Sequence, residues 1–231
     1  MTEAEINLLH WWINTGASFD QKVKDLPQDM KIKPLLTALQ SDNLPAATKP
    51  DVPATPVAQA SAALIGKLKQ KGITVIPVAA ESNYLSVNFI SIPMSGDSAV
   101  KLLEPLAPQI VWLKLGGTKI TDTAISIIAR LTNLTRLSLD HTHITNEGIA
   151  QIKTLSRLQY LNIVGTEISA AGLITLKGMP ALQTIYIYQS KITTADSSLL
   201  RMAFPQVTID TGGYILPLLE GDTSIMKKKE D

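Results

Sequence analysis

Asp140, His141 and His143 stand close together in the sequence, and their side chains are of the types that ligate divalent metal ions. Histidines two positions apart can project the same way where a strand ends, but a metal site needs further ligands in fixed positions. The pattern supplies no fourth ligand, and the segments that align with this one carry Lys119, Glu167 and Lys191 at the position of His143. We therefore interpret these histidines as surface residues and predict no metal site.

The sequence lacks the residue patterns that usually support catalysis. It has no glycine-rich phosphate loop, no H-E-x-x-H helix and no nucleophile elbow. No histidine and acidic residue stand at a spacing that would activate one of the serines. Gly116 and Gly117 are interpreted as a variation within a repeated turn, and His10 as a histidine on a helix surface. The sequence thus predicts a protein that is not an enzyme, with no catalytic residues.

Composition excludes several further classes of function. The net charge is +1, without a basic stripe that would bind nucleic acid, and the final lysines are followed at once by Glu230 and Asp231. There is no cysteine, which excludes disulfides, thiolate zinc sites and haem attachment through C-x-x-C-H within this chain. No apolar run approaches the ~18 residues that span a bilayer, and the first residues do not resemble a signal peptide. The chain as written is expected to be soluble, without an export signal or membrane span of its own.

The dominant feature of the sequence is a repeat in its second half. Segments of the form L-x-x-L-x-L begin every 24 residues, at Ile110, Leu134, Leu158 and Leu182. In each copy, two apolar residues alternate with polar ones, which predicts a short strand with one buried face. A period of this length in register indicates a solenoid, in which each repeat stacks on the next.

Two columns of hydroxyl side chains follow the predicted strands. The first, inside the turn, is expected to satisfy backbone groups that the sheet does not reach, and consists of Thr118, Thr142, Thr166 and Ser190. The second is expected to cap the helices on the convex side, and consists of Thr121, Thr145, Ser169 and Thr193. The sequence predicts both columns from the period alone.

These segments resemble the leucine-rich repeat family, in particular the subclass with the repeat L-x-x-L-x-L-x-x-C-x-I-T-D-x-G-L. Threonine or serine replaces the cysteine in every copy, and Gly148 and Gly172 keep the glycine whereas Ala124 and Asp196 do not. The resemblance implies an α/β leucine-rich repeat solenoid with short parallel strands and convex helices, preceded by a short helical segment and linker. Solenoids need caps at both ends. The predicted organisation is therefore a helical segment (1–40), a Pro/Ala-rich linker (41–58), a cap (59–105), the repeats (106–215) and a tail (216–231).

Stacking the repeats places a row of aromatic and charged residues on the concave face. Strands lie roughly 4.8 Å apart, so Arg136 can lie between Trp112 and Tyr160. Trp, Tyr and Arg are enriched at the energetic centres of interfaces, which favours a surface that binds a protein or peptide. The alternative is that the same side chains merely stabilise the sheet. The predicted binding residues are Trp112, Lys114, Arg136, Ser138, Asp140, Tyr160, Asn162, Tyr186 and Tyr188.

The first helix has a different character, because it holds two of the three tryptophans of the chain. One face of the helix is apolar, because Ile6, Leu9, Trp12 and Ile13 recur at helical spacing and Leu8 and Trp11 widen that face. Thr2 with Glu5 fits a capping box. The stretch "MTEAEINLLHWWINTGASFD" is similar to the last helix of the planctomycete-type cytochrome c domain. Members with this ending can be membrane-anchored and carry a leucine-rich tail after a linker. An ordinary amphipathic helix is the alternative interpretation.

The haem-attaching motif and axial methionine of that family would lie upstream of Met1, so no cofactor is expected in this chain itself. The resemblance implies the periplasmic side of a bacterial inner membrane. The main functional hypothesis is a non-catalytic module that binds a protein or peptide on its concave face. The alternative is an accessory region of a membrane-anchored c-type cytochrome whose haem domain is missing here.

Overall fold

The computed structural model describes residues 3–17, 21–40 and 50–213. The chain divides into two compact units between Lys49 and Pro50. The first unit contains helix α1 (Glu3–Asn14), a 3-10 turn at Val23–Asp25 and helix α2 (Ile32–Gln40). The predicted capping box falls partly on Thr2, outside the described residues.

Helix α1 packs against α2, and the buried part of the predicted apolar face is its tryptophan side. Leu8, Trp11 and Trp12 are half-buried, and the indole N–H of Trp11 donates a hydrogen bond to the carbonyl oxygen of Pro27 at 2.7 Å. This bond holds the tryptophan side of α1 against the segment that leads into α2. The remainder of the predicted apolar stripe is largely exposed: Ile6, Leu9 and Ile13 at 51%, 45% and 54%.

The second unit is a solenoid built on one sheet. Within residues 50–213 the sheet has seven strands in sequential order, the first pair antiparallel and the others parallel. The strands are β1 (Thr74–Pro77), β2 (Leu85–Asn88), β3 (Ile110–Lys114), β4 (Arg136–Ser138), β5 (Tyr160–Asn162), β6 (Thr184–Tyr186) and β7 (Thr208–Asp210). From β3 onward each residue pairs with the one 24 positions later, for example Leu137 with Leu161. The 24-residue period therefore sets the register of the sheet directly.

Short helices cover the opposite side of the core. They are α3 (Ala62–Gln70), α4 (Asp97–Val100), α5 (Asp122–Ile128), α6 (Asn146–Gln151), α7 (Ala170–Ile174) and α8 (Ser197–Ala203), with 3-10 turns at Lys101–Leu106, Ile152–Thr154 and Thr194–Asp196. The inward residues of strands and helices form one continuous core, in which the central leucines and isoleucines are fully buried. The chain thus folds as the α/β leucine-rich repeat solenoid that the sequence predicts.

The first hydroxyl column acts as expected. In each repeat the hydroxyl donates to the carbonyl oxygen three residues earlier, from Thr118 to Leu115, Thr142 to Leu139, Thr166 to Ile163 and Ser190 to Ile187, at 2.6–2.7 Å. The three threonines are buried, so water cannot replace these bonds. The column therefore satisfies carbonyl groups where each strand turns away from the sheet.

Replacing Thr142 by valine should lower the free energy of unfolding by about 1–2 kcal/mol. Valine keeps the shape but leaves the Leu139 carbonyl without its hydroxyl donor in the core. Urea unfolding of the two proteins checks this, with Thr142→Ser as the control because serine retains the hydroxyl. Equal stability of the valine variant and the unmodified chain would contradict the assigned role.

The turn that follows each concave strand contains a residue with left-handed backbone. Gly117 and Gly165 occupy this position in two repeats, with φ of 70° and 64°, and His141 and Gln189 in the other two, with φ of 53° and 55°. Glycine adopts this conformation without strain, whereas histidine and glutamine adopt it less readily. Backbone geometry therefore explains the glycine in the Gly116–Gly117 pair, and His141 occupies a turn position.

The helix starts are linked from one repeat to the next. The carboxylate of Asp97 accepts from the backbone N–H and hydroxyl of Thr121 at 2.8 and 2.7 Å, and Asp122 accepts in the same way from Thr145 at 2.9 and 2.6 Å. Asn146 continues the series by accepting from the backbone N–H of Ser169 at 2.9 Å. We call Asp97, Asp122 and Asn146 the cap ladder. It ties neighbouring convex helices together, and the sequence analysis named only its threonine and serine partners, Thr121, Thr145 and Ser169.

Residues 50–58 of the predicted linker form no helix or strand and lie against the solenoid. We call residues 50–58 the strap. The strap crosses the sheet at the amino-terminal ends of the strands, where side chains of the solenoid donate hydrogen bonds to the carbonyl oxygens of the strap. Most of the donors immediately precede a strand. The bonds are Gln159 Nε2 to Pro50 O, Thr135 Oγ1 to Asp51 O, Tyr84 OH to Thr55 O, Asn83 Nδ2 to Val57 O and Gln109 Nε2 to Ala58 O. Residues 41–49 of the predicted linker, and the predicted tail 216–231, lie outside the described residues.

Candidate binding surface

The predicted concave row is assembled by strands β3 to β6. Trp112 pairs with Arg136, Arg136 with Tyr160, and Tyr160 with Thr184. Leu113, Leu137, Leu161 and Ile185 alternate with them and point into the core, which leaves this row on the open side of the sheet. The row is therefore a direct result of the period and of strand alternation.

Arg136 lies between two aromatic rings. Its guanidinium carbon is 5.3 Å from the centroid of Trp112 and 4.3 Å from that of Tyr160. Both distances fall within the ~6 Å range of cation–π attraction. The sequence predicted this placement, because neighbouring strands bring equivalent residues side by side.

Asp51 of the strap adds an ion pair that the sequence did not predict. Its Oδ2 atom lies 2.6 Å from both Nε and Nη2 of Arg136. The hydrogen bond to Asp51 raises the pKa of Arg136 above its ordinary value, against the opposing effect of partial burial. Asp51 precedes Arg136 by 85 residues in a proline-rich segment, so neither period nor spacing indicated the contact. Its acidic character was the only available signal.

A polar cluster lies next to this row, near the carboxyl-terminal ends of β4 and β5. Asn162 Nδ2 donates to Ser138 Oγ at 3.0 Å and to Asp140 Oδ1 at 3.2 Å, and Ser138 Oγ donates to Asp140 Oδ1 at 2.5 Å. Asp140 also lies close over Gly116, where a Cβ atom would meet its carboxylate at 2.4 Å. The cluster holds the Asp140 carboxylate in one position on the concave face.

Other predicted binding residues are accessible at the same face. Lys114 is exposed, and Tyr186 and Tyr188 are exposed at 38% and 44%. Tyr188 also packs over Gly212, where a Cβ atom would lie 2.7 Å from it. The face therefore presents aromatic rings, one paired arginine, a lysine and a fixed carboxylate, which suit recognition of a peptide or protein surface.

The two histidines do not form a ligand group. His141 lies against Gly165, while the backbone of His143 bridges to Thr121 and its side chain is exposed. Within residues 3–17, 21–40 and 50–213, no three His, Cys, Asp or Glu residues are grouped so that they could hold a metal ion. In the same part of the chain, no helix has both the length and the apolar character to cross a bilayer.

Comparison with solved structures finds similarity to an internalin and to a leucine-rich repeat protein. An internalin from Listeria monocytogenes is 26% identical over 48% of this chain and 32% of its own length, with a TM-score of 0.40. A leucine-rich repeat protein from Leptospira interrogans is 24% identical over 48% of this chain and 27% of its own length, with a TM-score of 0.36. The chain thus spans about a third or less of each structure.

No family model matches the chain, and no curated protein matches it. The fold class therefore rests on the period, strand order and register of this chain. The resemblance of the first helix to a cytochrome c domain has no support from these comparisons.

Proposed function

We propose that this chain is a non-catalytic protein-binding module whose concave face holds a protein or peptide. The observation that carries the proposal is the row in which Arg136 lies between Trp112 and Tyr160, next to exposed Tyr186 and Tyr188. Aromatic rings offer large contact areas with few rotatable bonds, and arginine fixed between rings loses little further freedom on binding. The same contacts also stabilise the sheet by about 0.2–1 kcal/mol per pair, so a binding role needs its own test.

Substitution of Tyr160 by alanine should abolish capture of a partner while leaving the fold intact. Peptides selected from a displayed random library on the immobilised chain would serve as partners. Loss of a central interface residue commonly costs 2 kcal/mol or more, so we expect affinity to fall by about 30-fold or more. Arg136→Ala should act in the same way. Leu199→Ala is the matched control, because Leu199 lies exposed on the convex helix α8.

Circular dichroism of each variant would confirm that the fold is retained. Selected peptides that bind Tyr160→Ala and Arg136→Ala as tightly as the unmodified chain would remove the concave-face proposal. Peptides lost equally by Leu199→Ala would point to the convex side.

The second candidate is an accessory region of a membrane-anchored c-type cytochrome on the periplasmic side of a bacterial inner membrane. It is supported by the similarity of the Trp11–Trp12 helix to the end of such a domain and by the apolar side chains that α1 exposes. The test is a mass determination and haem stain of the native protein in its source cells. A haem-positive membrane band well above 25.0 kDa would favour this candidate, and a haem-free band near 25.0 kDa would remove it.

A further inference from the structure

The hydrogen bonds between the strap and the solenoid fall mainly on the main chain of the strap, although the side chain of Pro53 is also buried. Side chains from the amino-terminal ends of β2 to β5 donate to strap carbonyl oxygens at 2.6–3.0 Å. In the part of the chain that the structure describes, the strap contributes acceptors to these bonds and no backbone donors. Recognition of this kind reads an extended backbone rather than a particular sequence, and Pro50, Pro53 and Pro56 favour that extended conformation.

Asp51 is the exception, because it is recognised through its side chain. One carboxylate oxygen accepts from both Nε and Nη2 of Arg136, while Trp112 and Tyr160 hold the guanidinium from either side. Charge-assisted bonds of this kind are the strongest hydrogen bonds in such a contact. The solenoid therefore binds the strap as it would bind a peptide, with a row of side-chain donors to backbone carbonyls and one pocket for a carboxylate.

The strap leaves this groove incompletely satisfied. Three buried polar atoms at the seam have no hydrogen-bond partner among the described residues: Asp51 Oδ1, Gln109 Oε1 and Trp112 Nε1. Buried polar atoms are normally paired, so these positions favour an occupant that offers both a donor and an acceptor. Gln183 belongs to the same row of side-chain donors, since it immediately precedes β6 and its Nε2 donates to Gln159 Oε1 at 3.2 Å.

We propose that the strap occupies, within its own chain, a groove that binds an extended acidic peptide of a partner protein, with Arg136 as the anchor for the peptide's carboxylate. The inference rests on the proposed function, because it names the chemistry of the partner on the same face. A partner peptide with an aspartate or glutamate beside non-proline residues would repeat the carbonyl contacts and also supply N–H donors at the positions where Pro50, Pro53 and Pro56 have none. Binding then requires displacement of the strap.

The test uses the full chain and a fluorescent peptide of the strap sequence, PDVPATPVA. A tethered segment competes at an effective concentration in the millimolar range, so the unmodified chain should bind the free peptide weakly. Asp51→Asn weakens the tethered competitor by removing its charge. We expect fluorescence anisotropy to show that this variant binds the peptide about tenfold more tightly than the unmodified chain does.

Matched controls separate the contributions to binding. Thr55→Ala, which alters an exposed strap side chain and keeps its carbonyl, should behave like the unmodified chain. A peptide with asparagine in place of aspartate should bind Asp51→Asn about tenfold more weakly than the acidic peptide. Arg136→Gln introduced into Asp51→Asn should remove the preference between the two peptides.

The proposal is overturned if Asp51→Asn fails to bind the acidic peptide, binds it no better than the unmodified chain does, or does not distinguish it from the asparagine peptide. Library peptides provide the separate readout of the proposed function. If they still require Tyr160 while the strap peptide does not bind, the concave-face function stands and the strap inference falls. If they bind independently of Tyr160 and Arg136, the proposed function falls.

Discussion

Leu161→Ala is expected to lower the free energy of unfolding by about 3–4 kcal/mol. Leu161 is fully buried in the interior strand β5, where it pairs with Leu137 and Ile185 of the neighbouring repeats. Truncation removes apolar contacts and leaves a cavity that the adjacent repeats can fill only partly. Each solenoid repeat is stabilised mainly by its neighbours, so a defect at the centre weakens two interfaces at once. Urea unfolding followed by circular dichroism measures the change.

Leu199→Ala is the matched control for this substitution. Leu199 is 45% exposed on α8, and its truncation should change stability by less than about 1 kcal/mol. If the two variants lose a similar amount of unfolding free energy, the packing of Leu161 in β5 does not make the contribution to the core that we assign to it.

Gly172→Ala is expected to lower the free energy of unfolding by about 3 kcal/mol. A Cβ atom at this buried glycine would lie 2.1 Å from Asn146 Oδ1 and 3.0 Å from the backbone Cα of Asn146. Asn146 belongs to the cap ladder and accepts the backbone N–H of Ser169, so its side chain would have to leave this bond. The cost combines overpacking with the loss of a cap, each about 1–2 kcal/mol. Thermal and urea unfolding would measure it.

Gly66→Ala provides the contrast. A Cβ atom at Gly66, inside helix α3, would meet nothing within 4 Å. Alanine is the better helix former, and we expect this variant to be more stable by about 0.5–1 kcal/mol. If Gly172→Ala lowers the free energy of unfolding while Gly66→Ala raises it, the effect at Gly172 comes from the close approach of Asn146 and not from the loss of glycine itself.

The cap ladder also gives a physical reason for the glycine of the repeat pattern. A Cβ atom at Gly148 would meet Asp122 Oδ1 at 2.0 Å, just as one at Gly172 would meet Asn146. Glycine therefore leaves room for the polar side chain of the preceding repeat. Where the ladder stops, Thr193 pairs with Asp196 of its own repeat in a capping box, and these hydrogen bonds lower the pKa of the Asp196 carboxyl.

The strap changes how the predicted binding surface should be understood. Arg136 was expected to be available between its aromatic neighbours, whereas the structure pairs it with Asp51. Tyr186, Tyr188 and Lys114 remain exposed without that contact. On the proposed function, a partner contacts these residues, at the carboxyl-terminal ends of the strands, directly. It reaches Arg136 only by replacing the carboxylate of Asp51.

The sequence by itself determined everything that the 24-residue period controls. A fixed translation between repeats brings Trp112, Arg136 and Tyr160 side by side and stacks Thr118, Thr142 and Thr166 inside the turns. In a solenoid each repeat contacts mainly its neighbours, so sequence spacing becomes spatial spacing. The strand register, the core residues and the aromatic row could therefore be predicted without a structure.

Only the tertiary structure decided the contacts of segments that do not repeat. The approach of Asp51 to Arg136 depends on the path of the strap across four strands, and no local pattern encodes that path. The same holds for α1, where helical spacing defined a broad apolar face but did not specify which part of it is buried. The structure half-buries its tryptophan side and leaves Ile6, Leu9 and Ile13 exposed. The contacts of the cap ladder depend on how each convex helix is rotated relative to the next, and sequence spacing does not specify that rotation. Periodic contacts follow from local chemistry, whereas these contacts depend on where distant parts of the chain come together.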